Sequence, residues 1–272
     1  MLTKQIRQTI EDFVHQSPRT VQEVAQHIDK NWRTADRYII EIAEEFGTIA
    51  TRTFREGSRG ALKLVYWNAL TGMKGTAFQE RLRTLIDAGR TKYDFSAMHI
   101  YQSADPTKRE ATIFKDSKKD GFIELLSQTK EQALFFSGNL SWIQENKEFE
   151  KILQKLAENK IKIKILTRID LTSQKQTELL LKLNVHVGED VIAIRHCEQP
   201  IRGTIVDDKL LSIKEIYSPT LQPEIKEKTT INYRITDPVW INWMQKIFWH
   251  LWEQSIDAQT RLDAMKTIRK EK

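Results

Sequence analysis

Cysteine is almost absent from this chain of 272 residues, in which Cys197 is the only one. A single cysteine forms no intramolecular disulfide and no Cys-x-x-Cys zinc site, and such usage is typical of a reducing compartment. The N-terminus lacks the uninterrupted apolar core of a signal peptide. The most apolar stretch, Trp240 to Trp252, is shorter than the roughly 20 residues that span a bilayer. We therefore expect a cytoplasmic location and no membrane partner.

The sequence also contains little that points to catalysis or cofactor chemistry. Its six histidines lack the spacing of metal ligands, and it has no Gly-rich phosphate loop and no Gly-x-Ser-x-Gly motif. His196 is followed by Cys197 and Glu198, but successive residues on a strand point to opposite faces and do not converge on one metal. We interpret His196 as a structural or surface histidine and expect no metal and no cofactor.

Charge and length are more informative. The 43 basic residues exceed the 37 acidic ones, which gives a net charge of +6 and favours an anionic partner. At roughly 150 residues per domain, 272 residues predict about two domains. The alternation of elements along the chain predicts a multi-domain protein of the α/β class.

Residues 1–68 predict three helices and a hairpin. Thr20 and Glu23 have the spacing of a capping box for the second helix, and Asn31 is a good N-cap for the third. Gly47 would end that third helix, whose inward face should carry Trp32, Ala35, Ile39, Ile42 and Phe46. Two runs rich in β-branched and aromatic residues, 48–54 and 62–67, flank a turn and predict a β-hairpin.

This order of elements is that of a winged helix-turn-helix, in which the third helix meets base edges and the hairpin lies along the phosphates. The segment VQEVAQHIDKNWRTADRY resembles the helix-turn-helix of archaeal winged-helix regulators. The predicted DNA-binding residues are Asn31, Arg33, Thr34, Arg37 and Tyr38 on the helix, and Arg52, Arg55, Ser58 and Arg59 on the wing. A protein–protein module remains the alternative, because residues 1–68 hold ten basic and nine acidic side chains.

Residues 69–120 predict a connector. One amphipathic helix carries an apolar stripe of Phe78, Leu82, Leu85 and Ile86, and the stretch from Tyr101 to Asp120 reads as surface loop. At the other end of the chain, residues 257–272 carry five basic side chains and predict a solvated tail.

Residues 121–256 alternate strands with helices, which predicts a largely parallel sheet. The segments ALFFSGNLSWI, KIKIKILTRID and PIRGTIVDDKLL resemble one half of a phospholipase D-like domain. In the catalytic members of that family the motif is His-x-Lys-x4-Asp. Matching its aspartate to Asp207 puts Arg202 at the lysine and Pro200 at the nucleophilic histidine. The resemblance therefore implies a domain without its nucleophile, and we expect no enzyme activity.

A winged helix followed by such a domain resembles the TrmB-like archaeal transcription regulators. That resemblance implies a second domain that binds a small-molecule effector or builds a dimer. Open α/β sheets bind ligands at the carboxyl ends of their strands, which predicts a ligand site formed by Ser137, Asn139, Arg168, Arg202 and Asp207. Four tryptophans in the last helix leave more apolar surface than one stripe needs, which is an argument for a homodimer; core packing alone remains an equal alternative.

The leading hypothesis is therefore a transcription regulator whose partner is double-stranded DNA. The first alternative is a phospholipase D-like nuclease or phosphodiesterase that the winged helix delivers to DNA. The second is an architectural DNA-coating protein with little sequence preference and no effector pocket.

Overall fold

The computed structural model describes residues 1–16, 18–55, 61–68, 76–114, 121–145, 147–220 and 227–270. The side chains of Arg52 and Arg55 are not among the described ones. The chain divides into two compact units, Met1–Lys74 and Gly75–Lys272, and each is described by itself.

The first unit contains the three helices and the hairpin that the sequence predicts. Its elements are α1 (Lys4–Gln16), β1 (Arg19–Thr20), α2 (Val21–His27), α3 (Trp32–Glu45), β2 (Ile49–Arg55) and β3 (Ala61–Trp67). The strands form an antiparallel sheet in the order β1-β3-β2, so a short strand before α2 extends the predicted hairpin.

Local chemistry sets the ends of these helices. The Thr20 side chain and Glu23 form the predicted capping box at α2, and the Asn31 side chain accepts a hydrogen bond from the Thr34 amide at the start of α3. Gly47, with φ of 65°, terminates α3. The helices bury a common core that includes Ile10, Ile39 and Ile42.

The second unit is built on one eight-stranded sheet in the order β11-β7-β6-β5-β8-β9-β10-β4. Its strands are β4 (Arg109–Phe114), β5 (Gln132–Phe136), β6 (Lys162–Thr167), β7 (Ile192–His196), β8 (Gly203–Val206), β9 (Leu210–Tyr217), β10 (Thr229–Ile235) and β11 (Ile256–Asp257).

The prediction of a largely parallel sheet is wrong. Among the strand pairs in the described ranges, β5–β6 and β6–β7 are parallel and the others are antiparallel. Strands β8 and β9 are joined by a tight turn at Asp207 and Asp208, both at positive φ, and a turn that short permits only antiparallel pairing. The sheet is therefore mixed.

Helices cover both faces of this sheet. They are α4 (Ala77–Ala88), α5 (Met98–Ser103), α6 (Phe122–Ser127), α7 (Ser141–Glu145), α8 (Lys147–Glu158), α9 (Gln174–Val187), α10 (Pro238–Gln254) and α11 (Ala258–Lys270). Residues of α8, α9 and α11 share a hydrophobic core with Phe135, Ile163 and Ile165 of the sheet. The opposite face meets α10, since the rings of Phe136 and Phe248 lie 5.3 Å apart.

Most of the expected connector, from Gly75 onward, belongs to the second unit. Leu82 and Ile86 of α4 are fully buried, and the supposed loop after Tyr101 contains β4, which pairs with β10 along its whole length. The predicted solvated tail also differs from the structure. Helix α11 begins at Ala258, and it buries the side chains of Ala258, Leu262 and Met265, which recur at helical spacing.

The tryptophan argument for a dimer also fails. Trp240, Trp243, Trp249 and Trp252 are each at most 6% exposed within a single chain, so these four side chains leave no surplus apolar surface for a partner. Helix α10 is covered on several sides, as the contact of Trp240 with Phe78 of α4 shows. None of the helices in the described ranges is long and apolar enough to cross a membrane.

Candidate functional site

The third helix of the first unit presents two arginines to solvent. Arg33 and Arg37 lie four residues apart, on one side of α3, and both are exposed. Neither guanidinium has a carboxylate within salt-bridge distance in the described part of the chain, and each lies near an aromatic ring of α3 instead, Trp32 or Tyr38. Two cations without a counter-ion are available to an anionic partner.

Asp36 is the acid closest in sequence to both arginines, and it is engaged elsewhere. Its carboxylate accepts a 2.6 Å hydrogen bond from the Lys63 ammonium on β3. The pair anchors the hairpin to α3 and reduces the attraction between Asp36 and the two arginines. Asn31 and Thr34, which the sequence also assigns to this surface, lie at the N-terminus of α3 and are joined by the capping hydrogen bond.

Two aromatic residues of α3 exchange the positions that the sequence predicts for them. Tyr38 was expected on the exposed face, but it is only 4% exposed and its hydroxyl donates to the Met1 carbonyl at 3.1 Å. Trp32 was expected in the core, but it is 55% exposed. Tyr38 lies three residues after Ala35 and four before Ile42, which is the spacing of the buried stripe. Trp32 occupies the first helical position, outside the core cluster.

The predicted wing residues are only partly described. Arg52 and Arg55 lie on β2, and only their backbone is described. Ser58 and Arg59 lie outside the described residues. The structure therefore describes the two strands of the hairpin but not the side chains of its arginines. The DNA-binding role of these arginines stays a prediction.

The second unit holds a concave pocket where β5 ends, with a cavity volume of about 50 Å³. Strands β5, β8, β9 and β10, helix α6 and the segment after β5 supply its walls. The described residues around it are Phe122, Phe135, Phe136, Ser137, Gly138, Trp142, Arg202, Gly203, Thr204, Ser212, Lys214 and Asn232. This lining includes two cations and, among the described residues, no carboxylate and no histidine.

The guanidinium of Arg202 is held in place by hydrogen bonds. One terminal nitrogen, Nη1, donates to the carbonyl oxygens of Gln199 and Ile201 at 3.0 and 2.7 Å. Burial, with a smaller contribution from Arg168, lowers the pKa of Arg202 to about 10. The guanidinium lies against Gly138, where a Cβ atom would approach Nε to 2.7 Å. Only glycine at position 138 leaves this space to the guanidinium.

Three aromatic side chains also line this pocket. The rings of Phe135 and Trp142 are stacked, with centroids 5.6 Å apart, and Phe122 packs edge-on against both. The Lys214 ammonium lies 5.3 Å from the centre of the Phe122 ring. Ser137 is fixed between these groups, because its hydroxyl oxygen accepts hydrogen bonds from the Leu140 amide and the Trp142 indole.

The structure places the five predicted ligand residues at different positions. Ser137 and Arg202 line the pocket together, as expected. Asn139 and Arg168 are neighbours in the chain or the sheet but do not line it: the Asn139 side chain accepts from the Ser141 amide, and Arg168 pairs with Asp170.

The assignment of Asp207 to the ligand site is wrong. Strand β8 runs antiparallel to β5, so Asp207 lies beside the start of β5, at the end of the sheet opposite Ser137. Its carboxylate accepts hydrogen bonds from the amides of Lys130, Glu131 and Gln132 at 2.8 to 3.0 Å. Asp207 is therefore a structural residue that holds the turn after β8 against the start of β5.

Pro200 and His196 are both used in packing. The Pro200 ring is buried against Gly89, where a Cβ atom would meet its Cγ at 2.7 Å, and it does not line the pocket. The Nδ1 atom of His196 accepts a hydrogen bond from the Ile169 amide at 2.9 Å. Burial, followed by the charge of Arg261, lowers the pKa of His196. Its geometry agrees with a structural histidine.

Sequence reasoning missed Lys214 and Asn232. Ser212 and Lys214 lie two residues apart on β9, which puts both side chains on one face of the sheet, and Asn232 pairs with Lys214 in the neighbouring strand. The two-residue spacing of Ser212 and Lys214 could have predicted a shared face. That prediction needs a strand β9 that extends to Tyr217 and a neighbouring strand β10, and the sequence analysis found neither. Within the described ranges, no group of three or more His, Cys, Asp or Glu side chains could hold a metal ion.

The second unit is an α/β domain with helices on both faces of a large mixed sheet. No protein-family model matches the sequence, and no curated protein matches it significantly. Among solved structures, the chain is similar to Nuc from Salmonella typhimurium, a phospholipase D family member, with a TM-score of 0.43 and 12% identity, covering 55% of this chain and 98% of Nuc.

Two further structures extend this picture. TrmBL2, an archaeal chromatin protein described as having a novel mode of DNA binding, is similar over 94% of this chain and 95% of its own, with a TM-score of 0.42 and 11% identity. NucT from Helicobacter pylori matches 55% of this chain and 99% of its own, with a TM-score of 0.39 and 10% identity. Likenesses of this size leave the function to be argued from the chain's own residues.

Proposed function

We propose that this chain is a sequence-specific, DNA-binding transcription regulator of the TrmB-like kind. Its first unit is the winged helix-turn-helix and α3 is the recognition helix. One observation carries the proposal: Arg33 and Arg37 are exposed on α3 without a carboxylate partner in the described part of the chain, while Asp36 between them is engaged by Lys63.

The chemistry of these side chains fits the major groove. A guanidinium donates two parallel hydrogen bonds to O6 and N7 of guanine, which is the commonest specific contact between proteins and DNA. The N-terminal half of a recognition helix is the part that meets base edges, and Arg33, Thr34 and Arg37 lie in that half of α3. Phosphate contacts from the wing would set the register without reading sequence.

Substitution of the two arginines tests this proposal. Arg33→Ala and Arg37→Ala should each weaken binding to the specific site by about 1 to 3 kcal/mol, with a smaller loss on random DNA. The matched control is the Lys175→Ala, Lys182→Ala double variant, which removes the same charge from two exposed positions of α9. Unchanged specific binding in the folded Arg33/Arg37 double variant would overturn the assignment.

The same titrations separate a regulator from an architectural DNA-coating protein, which is the second alternative. A regulator binds its operator far more tightly than random DNA, typically by a factor of about 10³ or more. A coating protein would show similar affinities for both. Comparable affinities across sequences would therefore favour the architectural alternative.

We also propose that the second unit is a phospholipase D-like domain without catalytic activity. Pro200 occupies the position matched to the nucleophilic histidine, and a proline ring has no nucleophilic atom for attack on phosphorus. In the structure Pro200 packs against Gly89 and lies outside the pocket. These observations support an effector-binding or dimerisation role over a nuclease.

Turnover assays with bis-p-nitrophenyl phosphate and plasmid DNA, with and without divalent metal ions, test the non-catalytic role. We expect no rate above background. Turnover that co-purifies with the protein and disappears in Arg202→Ala or His196→Ala would support the nuclease alternative instead.

A further inference from the structure

We propose that Ile40 is a specificity-determining residue of α3 that contacts the 5-methyl group of a thymine in the major groove. The inference rests on the proposed function, since it takes α3 as the recognition helix. It goes further because it assigns a base to a side chain that has no hydrogen-bonding group, and so predicts part of the operator.

Ile40 is an apolar side chain on the outside of a helix whose other isoleucines are buried. Ile39 and Ile42 are fully buried, whereas Ile40 is 41% exposed. Ile40 also lies outside the core cluster that the described residues of the first unit form. A single exposed isoleucine is common on protein surfaces, so its neighbours on the helix decide what it contacts.

Those neighbours are the two arginines that the proposed function assigns to base edges. At 3.6 residues per turn, Arg33, Arg37 and Ile40 fall within about 60° of one another around the helix axis. All three side chains are exposed. Thymine presents its methyl group in the major groove, and an apolar side chain is the complementary contact. Arginines that reach base edges therefore bring Ile40 to the floor of the same groove.

The stripe also limits where the thymine lies. Its next position after Ile40 is Glu44, an exposed carboxylate that repels phosphates, so Ile40 is the last position suited to a base contact. A rise of about 1.5 Å per residue puts Ile40 about 4.5 Å beyond Arg37 along the axis. This distance is one to two steps of about 3.4 Å along a DNA strand. The thymine should lie that far from the guanine of Arg37, on the side away from the guanine of Arg33.

A protein is the other partner that an exposed isoleucine could contact. Protein contacts of this kind use a contiguous apolar patch. The neighbours of Ile40 on the stripe are Arg33, Arg37 and Glu44, and all three are charged. This surroundings favours a major-groove contact, in which an apolar side chain and arginines act side by side.

Replacement of single thymines by deoxyuridine tests the inference, because it removes only the 5-methyl group. In vitro selection with the full chain first defines the preferred site, and fluorescence anisotropy then measures binding to each substituted duplex. We expect one thymine per half-site whose replacement weakens wild-type binding about fourfold, the effect of burying one methyl group. A selected site without such a thymine, or binding that no replacement changes, would overturn the inference.

Variants of Ile40 connect the methyl group to this side chain. Ile40→Ala should bind the thymine and deoxyuridine sites equally, and Ile40→Val should keep most of the difference. Circular dichroism should show an intact fold for both, because Ile40 lies outside the core cluster. The matched control is Val185→Ala, which shortens another exposed apolar side chain and should keep the wild-type difference. An unchanged difference in folded Ile40→Ala would overturn the inference.

The failure of this inference and the failure of the proposed function give different results. If Arg33→Ala weakens binding to the selected site and deoxyuridine does not, α3 is still the recognition helix and only the thymine contact is overturned. If selection enriches no sequence, or Arg33→Ala binds as wild type does, the proposed function fails and this inference fails with it. A changed sedimentation mass in Ile40→Ala with the thymine preference intact assigns Ile40 to a protein contact, which also overturns the inference.

Discussion

The Lys63 ammonium lies 2.6 Å from a carboxylate oxygen of Asp36 and joins the hairpin to the third helix of the first unit. Both side chains are about a quarter exposed, so the pair contributes little to stability, at most about 1 kcal/mol. Its larger effect is electrostatic, because it neutralises the acid that lies between Arg33 and Arg37.

The first prediction follows from this pair. Asp36→Asn should raise the affinity for all DNA sequences, because one negative charge leaves the proposed binding face and Lys63 becomes available to a phosphate. The slope of log K against log salt should become steeper by up to about one unit. Asp12→Asn, which removes an exposed acid from α1, is the control. A decrease in DNA affinity for the folded Asp36→Asn protein would contradict the assignment of this face.

The exchange of Trp32 and Tyr38 gives the second prediction. Trp32→Ala should leave the stability of the first unit nearly unchanged, because the side chain is 55% exposed, and should weaken DNA binding. Tyr38→Ala should destabilise the first unit by on the order of 3 kcal/mol, because it opens a cavity in the core. Chemical denaturation and DNA titration of the same two variants check this. A large loss of stability in Trp32→Ala would contradict the structure.

His196 gives a pH dependence with a defined sign. Its pKa is lowered in the folded state, so the unfolded chain binds the proton more readily and the second unit loses stability as the pH falls below about 6.5. His196→Asn keeps an acceptor for the Ile169 amide and removes the titration. The stability difference between wild type and variant should therefore shift in favour of the variant between pH 7.5 and about 5.5. A difference that stays constant with pH would contradict the lowered pKa of His196.

How far the sequence predicts this molecule depends on the range of the interactions involved. The cap at Asn31, the capping box at Thr20 and the strand Gly203–Val206 are set by neighbours in the chain, and all three are present as expected. The direction of β8 relative to β5 is not local. It depends on pairing between strands about 70 residues apart in the sequence, and the error in direction placed Asp207 at the wrong end of the sheet.

The pocket shows the same division. Ser137 and Arg202 could be predicted because each ends or precedes a recognisable strand. The partners Asn232 and Lys214 come from strands that only the sheet order brings beside them. The sequence likewise could not show that the tryptophans of α10 are buried. Part of that burial comes from helix α4, which lies 150 or more residues away in the sequence.

The last prediction concerns assembly. A single recognition helix reads only a short stretch of DNA, so we expect a homodimer held by the second unit, with two half-sites about 10 base pairs apart or a multiple of that. The four tryptophans of helix α10 do not provide the contact, since they are buried within the chain. Helix α4 keeps two large apolar side chains partly exposed, Phe78 at 39% and Leu85 at 38%, seven residues apart on one side.

Leu85→Glu should therefore shift the monomer–dimer equilibrium toward monomer and reduce affinity for a two-half-site operator more than for a single half-site. Glu80→Gln, on the same helix, is the control. Sedimentation equilibrium at micromolar concentration gives the mass with and without DNA. Wild-type protein that stays monomeric in both conditions would contradict the dimer. It would also contradict the predicted half-site spacing of the operator, because a fixed spacing is required only when two recognition helices are held at a fixed separation.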